Sequence, residues 1–265
     1  MYLYGLIGHP LSHSFSQRYF SKKFTNEGCV GYSYLNFPIS DIKDLHNLLE
    51  QQSDLRGFNV TIPYKEQIIP FLDEMDSIAV KTGAVNTVQV VRNGNRIYLK
   101  GYNTDVYGFG RSLEEWFRVS GFEFNFVEGF AVRVSGFGSR ALVLGTGGAS
   151  KAVVCALSQL NMDVHLVSRK EGKGIYKTYD QLSVNDIAIH QLIVNTTPLG
   201  MYPNVGECPA IPYQCLTEKH FLYDLVYNPE ETLFMRKGRE MGASVYNGER
   251  MLHLQADQAW EIWKN

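Results

Sequence analysis

Short apolar runs alternate with stretches of helical period along most of the chain, beginning at its first residues. Tyr2 to Ile7 reads as a strand that opens into a loop at Gly8-His9-Pro10. Gln17 to Thr25 follows with Phe20 and Phe24 one helical turn apart. Tyr32 to Phe37 reads as a second strand, and Ile39 to Leu49 as a helix with Ile42, Leu45, Leu48 and Leu49 on one stripe. With Gly57 to Val60 as a third strand the order is βαβαβ, which predicts a parallel sheet. Ala84 to Val91 and Arg96 to Tyr102 flank Arg92-Asn93-Gly94-Asn95, where Asn-Gly suits the positive φ angles of a tight hairpin, and Val106 to Phe117 reads as an amphipathic helix.

The second half resumes the alternation. Leu142-Val143-Leu144 is a strand, a helix is predicted over 149–160, and further strands over Val164 to Val167, Leu192 to Asn195 and Phe221 to Tyr227. Asn247-Gly248 then opens a last helix, Met251 to Trp263, with Gln255 on its polar side beside Leu252, Ala256 and Ala259. Between the halves, Arg118-Val119-Ser120-Gly121-Phe122 recurs as Arg133-Val134-Ser135-Gly136-Phe137, a small duplication whose Phe, Val and Gly content predicts an extra β-hairpin.

The junction Gly145-Thr146-Gly147-Gly148-Ala149 carries the strongest chemical signal, because glycines between a strand and a helix let the backbone approach a pyrophosphate at the positive end of the helix dipole. A P-loop would need Gly-Lys-Ser/Thr where Ser150-Lys151-Ala152 stands, and a connection with no ligand is the plain alternative. An NAD site places an acidic residue about 20 positions further on to bind the ribose 2′-hydroxyl. Here that place holds Ser168-Arg169-Lys170, with Lys173 close behind, a set suited to a 2′-phosphate and therefore to NADP.

In the first half, Ser14 and Ser16 alternate with Phe15, so in an extended segment both hydroxyls face one way and can hold a carboxylate; the competing reading is a helix cap. Asn59 and Thr61 share a face at the end of the third strand, where ligands of open α/β sheets collect, and Pro63 stops the ladder before Lys65. Taken alone, Lys65 reads as solvated surface and Asp105 as the cap of the helix behind it.

At 265 residues, with 45% hydrophobic and 20% charged residues, the chain has room for about two domains. A net charge of −2 without a basic run argues against nucleic acid and for a small-molecule ligand. Cys29, Cys155, Cys208 and Cys215 are scattered and read as reduced thiols, and no apolar window is long enough to span a membrane. The expected compartment is the cytoplasm.

Together, His13-Ser14-Phe15-Ser16, Asn59 to Lys65, Ala84-Val85-Asn86-Thr87, Asn103-Thr104-Asp105, Gly145 to Ala149, Asn195 to Met201 and Gly248 to Gln255 resemble the shikimate dehydrogenase family in the same order. The resemblance implies an α/β fold of two domains: an open, mainly parallel substrate domain (1–104 with 248–265) and a Rossmann-like NADP-binding domain (105–247), on either side of a cleft. It implies NADPH-dependent reduction of 3-dehydroshikimate to shikimate, without a metal, by a monomer or homodimer. Lys65 and Asp105 become the catalytic pair. Ser14, Ser16, Asn59, Thr61, Asn86, Tyr227 and Gln255 surround the substrate, and Gly145, Thr146, Gly147, Gly148, Ala149, Ser168, Arg169, Lys173, Thr196, Leu225 and Gly248 hold NADP. Gln17 departs from the proline usual after the serine motif, Ser168 from the usual asparagine, and the duplicated segment exceeds the usual connection. Rival readings are a quinate/shikimate dehydrogenase using NAD(P) and a catalytically idle NADP-binding regulator.

Overall fold

The computed structural model describes residues 2–264 other than 12–14, 95, 128, 129 and 136. The chain is α/β and divides into two compact units, Met1–Thr104 with Ala256–Asn265, and Asp105–Gln255.

The first unit holds β1 (Tyr2–Ile7), α1 (Phe15–Asn26), β2 (Tyr32–Phe37), α2 (Leu45–Gln51), β3 (Leu55–Val60), β4 (Glu74–Met75), α3 (Ser77–Thr82), β5 (Thr87–Asn93) and β6 (Arg96–Tyr102). Its sheet has the order β2-β1-β3-β5-β6-β4. β1 pairs in parallel with β2 and β3, whereas β5 and β6 form the expected antiparallel hairpin. The helix expected over 39–49 is shorter: the Asp41 carboxylate accepts from Lys43 N at 2.9 Å and caps a single 3-10 turn, Ile42–Asp44, before α2 starts.

One face of this sheet buries Ile7, Leu55, Phe58, Val85 and Val88. The other buries Tyr4, Phe20, Phe24, Tyr34, Trp260 and Trp263, so the end of the C-terminal helix belongs to this core. Trp263 presses against β3 so closely that a Cβ on Gly57 would stand 2.3 Å from its Nε1, which itself donates to Val88 O at 3.0 Å.

The second unit starts in α4 (Thr104–Val119), whose end carries the start of the first copy of the duplicated pentapeptide, and continues through the hairpin β7 (Glu123–Val127) and β8 (Phe130–Ser135), the latter taking in part of the second copy. Then come β9 (Arg140–Leu144), α5 (Gly148–Gln159), β10 (Asp163–Ser168), β11 (Ile175–Thr178), α6 (Val184–Ala188), β12 (Leu192–Asn195), β13 (Phe221–Asp224), α7 (Leu233–Glu240), β14 (Ser244–Asn247) and α8 (Glu249–Lys264). Its sheet is parallel throughout, in the order β11-β10-β9-β12-β13-β14, the doubly wound dinucleotide-binding arrangement. β13 stops at Asp224 rather than running on to Tyr227, because Val226 N turns back to the Asp224 carboxylate at 3.0 Å. The core packs Leu142, Leu144, Ile193, Leu222, Phe234 and Met235. No helix among the described residues is long and apolar enough to cross a membrane.

Candidate active site

In the first unit, strand order reverses between β1 and β3, and in open α/β sheets ligands bind beyond the carboxyl ends of such a pair. Gly8 follows β1 there. A Cβ on it would lie 2.4 Å from the Thr61 methyl group, so glycine is what lets Thr61 close on the β1 loop, and Thr61 N donates to Ile7 O at 2.9 Å. Asn59, 5% exposed, is held by three bonds: it accepts from the Tyr34 phenol at 2.8 Å and donates to Asn86 O at 3.2 Å and Thr87 Oγ1 at 3.1 Å.

Asn86 lies just before β5 rather than inside it, and extends the network. Its Oδ1 accepts from Thr104 N at 2.8 Å and Thr87 Oγ1 at 3.1 Å, and its Nδ2 donates to Thr104 Oγ1 at 3.0 Å. Each member is buried and paired, which fixes the rotamers of the set. Lys65 is half-buried, and its carbonyl accepts from Val85 N at 2.8 Å, pinning the post-β3 loop to the segment before β5 that carries Asn86.

Two expectations about local conformation are corrected. Ser16 lies in the first turn of α1, since the helix that seats Phe20 and Phe24 begins at Phe15, so it is not in an extended segment; Ser14 lies outside the described residues. Asp105 is buried within the first turn of α4, which starts at Thr104, rather than capping it from outside. Tyr34 donates into the buried network at Asn59, so Tyr34, Asn59 and Asn86 belong to one connected group. Sequence reasoning missed Tyr34; the available signal was a tyrosine on the inward face of an edge strand, whose hydroxyl needs a partner when buried.

In the second unit, strand order reverses between β9 and β12, and the glycine turn sits at that point. Gly145 has φ +108° and faces Thr196: a Cβ would stand 2.8 Å from the Thr196 hydroxyl, which donates to Leu144 O at 2.7 Å. Thr146 and Gly147 are exposed, and Gly148 and Ala149 half-exposed. Gly147 caps α5 without any side-chain bond, which leaves the first N–H groups of that helix directed outward. Ser150, at the third Rossmann position, turns inward and donates to Gly147 O at 2.8 Å.

Ser168 ends β10, with Arg169 and Lys173 exposed beyond it. Burial pushes the Tyr179 phenol up to about 12, and the Arg169 guanidinium acts against that rise. Gly248 is buried against Leu225, where a Cβ would meet the Leu225 carbonyl oxygen at 2.1 Å. Tyr227 is 37% exposed after β13, and Gln255 Nε2 donates to Leu252 O at 2.9 Å.

Behind these loops, Asp224 accepts from Asn195 Nδ2 at 2.9 Å and Thr232 Oγ1 at 2.6 Å. Asn195 Oδ1 in turn accepts from Thr197 N at 3.0 Å and its hydroxyl at 2.7 Å, so one buried carboxylate sets the loops after both β12 and β13. Sequence reasoning did not find this role, although an aspartate inside an apolar strand was its trace. A turn that only glycine fits, an uncapped helix start and a cation beyond the next strand together suit a phosphorylated dinucleotide.

Residues 6–88 match the family model described as the shikimate dehydrogenase substrate binding domain. A relative named Shikimate dehydrogenase (NADP(+)), from Halothermothrix orenii, is 36% identical over 98% of this chain and 89% of its own length. Among solved structures, a chorismate mutase/shikimate 5-dehydrogenase fusion protein from Clostridium acetobutylicum is 34% identical, with a TM-score of 0.82 over 100% of this chain and 91% of that one. Shikimate 5-dehydrogenase from Thermus thermophilus, in complex with NADP(H) and shikimate, is 28% identical, with a TM-score of 0.79 over 99% and 93%.

Proposed function

The chain belongs to the shikimate dehydrogenase family, and from that premise we propose how its own residues divide the reaction. Its activity is the NADP-dependent interconversion of 3-dehydroshikimate and shikimate, in the pathway to the aromatic amino acids. The observation that carries the residue assignments is the placement of two clusters, each beyond the carboxyl ends of the strands where its own sheet reverses order.

Residues of the first unit make up most of the substrate set. Ser14 and Ser16 donate to its carboxylate, and Asn59, Thr61 and Asn86 take its ring hydroxyls, with Tyr227 and Gln255 completing the set. The buried network around Asn59 and Asn86 supports this reading, because polar side chains already locked by neighbours lose little freedom when a ligand arrives. Residues of the second unit hold NADP: the backbone from Gly145 to Ala149 at the pyrophosphate, Ser168, Arg169 and Lys173 at the 2′-phosphate, and Thr196, Leu225 and Gly248 toward the nicotinamide. Bound NADP supplies or takes the hydride.

Lys65 handles the proton. In the direction of reduction its ammonium hydrogen-bonds the ketone oxygen, stabilises the negative charge that develops there and delivers the proton; in oxidation the neutral amine takes that proton from the hydroxyl. Asp105 orients the lysine and the neighbouring hydroxyl of the substrate. No metal enters the scheme, and the chain works as a monomer or homodimer in the cytoplasm. Turnover of purified protein with shikimate or quinate, each with NADP⁺ or NAD⁺, tests the reading. The highest kcat/KM is expected for shikimate with NADP⁺; a preference for quinate, or for NAD⁺, overturns it.

A further inference from the structure

Gln17 is the third residue of α1, directly after Ser16. The first N–H groups of a helix have no partner inside it, so an unassisted first turn frays and a hydroxyl carried there is loosely placed. Here the turn is tied on two sides. Asn36, which lies opposite Leu6 on β2, donates from Nδ2 to Gln17 Oε1 at 3.0 Å. Phe15 stacks on Tyr19 with ring centroids 5.3 Å apart, and the Tyr19 phenol donates to Asp257 Oδ1 at 2.5 Å, where Lys23 Nζ also arrives at 2.7 Å. Ser16 stands between the two ties.

The tie to β2 comes at a cost. Asn36 is half-buried, and its Oδ1 is enclosed with no hydrogen-bond partner among the described residues. An enclosed acceptor left unpaired is unfavourable, so an apolar side chain of the same shape would hold β2 at least as well. Stability does not account for the bond. We propose that Asn36 and Gln17 are positioning residues of the substrate site: their hydrogen bond fixes the first turn of α1, so that the Ser16 hydroxyl is already set when the substrate carboxylate arrives. The inference rests on the assignment of Ser16 to that carboxylate. A proline at position 17 would stiffen the turn by fixing φ; Gln17 does so through a side-chain bond to the neighbouring strand. The carboxylate is remote from the carbon that exchanges the hydride and is charged in ground and transition states alike, so a better-ordered Ser16 strengthens the binding of both equally. The bond therefore acts on KM and leaves kcat alone.

Asn36→Leu keeps the shape of the side chain and removes the bond. Shikimate KM is expected to rise about three- to tenfold, the scale of one hydrogen bond, with kcat within about twofold and NADP KM unchanged. Urea denaturation should find this variant no less stable than the unaltered chain, because the enclosed oxygen is lost together with the bond. Gln17→Ala should raise shikimate KM as well, and the double variant should fall well short of the product of the two effects, since both changes remove one bond. An unchanged KM in Asn36→Leu, a variant less stable than the unaltered chain, or effects that simply multiply, overturns the proposal while leaving Ser16 at the carboxylate. An unchanged KM in Ser16→Ala instead removes the underlying assignment, and the proposal with it.

Discussion

Asp224→Asn isolates the charge on the carboxylate that fixes the loops after β12 and β13. Asp224 is 0% exposed and receives three bonds, from Asn195, Val226 and Thr232. Burial outweighs those donors and pushes the carboxyl up to about 6 from 3.8. A carboxyl whose pKa is raised by folding contributes stability that is complete below 3.8 and lost as pH rises through about 6. The shift corresponds to about 3 kcal/mol, at about 1.4 kcal/mol per unit. Asparagine has nearly the same shape, still accepts from Asn195 and Val226 through Oδ1, and has no proton to exchange in this range. The unfolding free energy of the unaltered chain minus that of the variant should therefore shrink by about 3 kcal/mol between about pH 3 and about pH 8. Urea denaturation of both proteins across that range measures it, and other titrating groups cancel in the difference. A difference that stays flat, or that grows with pH, would mean that the three donors hold the group ionised against burial, and the reasoning fails.

Arg169→Ala should lower the NADP/NAD ratio of kcat/KM by about ten- to a hundredfold while sparing NAD, since a charge-assisted contact to phosphate is worth about 1.5–3 kcal/mol. Equal loss of both cofactors would move Arg169 to some part of the site common to them. Gly248→Ala puts a Cβ 2.1 Å from Leu225 O and 2.7 Å from Leu225 C, both backbone atoms, so the chain must shift. A loss of about 1–3 kcal/mol in urea denaturation is expected, together with a raised NADP KM, and unchanged values for both would contradict the close packing.

What was legible in the sequence follows from how local each signal is. The spans of β1 and β2 could be read directly, because an apolar run between turn residues announces a strand, and the glycine turn announced both its conformation and its ligand. Signals that depend on distant partners were not legible. β11 and β14 are four residues each, with little apolar periodicity, and exist because β10 and β13 offer them edges to pair with. The alternation of Ser14 and Ser16 suits an extended segment and their position suits a helix cap, but the aromatic stripe of α1 reaches back and makes Ser16 helical. The roles of Tyr34 and Asp224 depend on partners 25 and 29 positions away, Asn59 and Asn195. No window of sequence contains those pairs.

The central claim is that Lys65 moves the proton while hydride transfer takes place, and Lys65→Ala tests it most directly. Reduced nicotinamide is followed with shikimate and NADP⁺ in the variant and the unaltered chain, and shikimate affinity is measured on both by calorimetry. Turnover should fall at least ~10²-fold while affinity changes little, because in this direction the lysine takes the hydroxyl proton as the hydride leaves, an interaction made in the transition state and not with the bound alcohol. Undiminished turnover, or an affinity loss that accounts for the whole effect, would contradict the account.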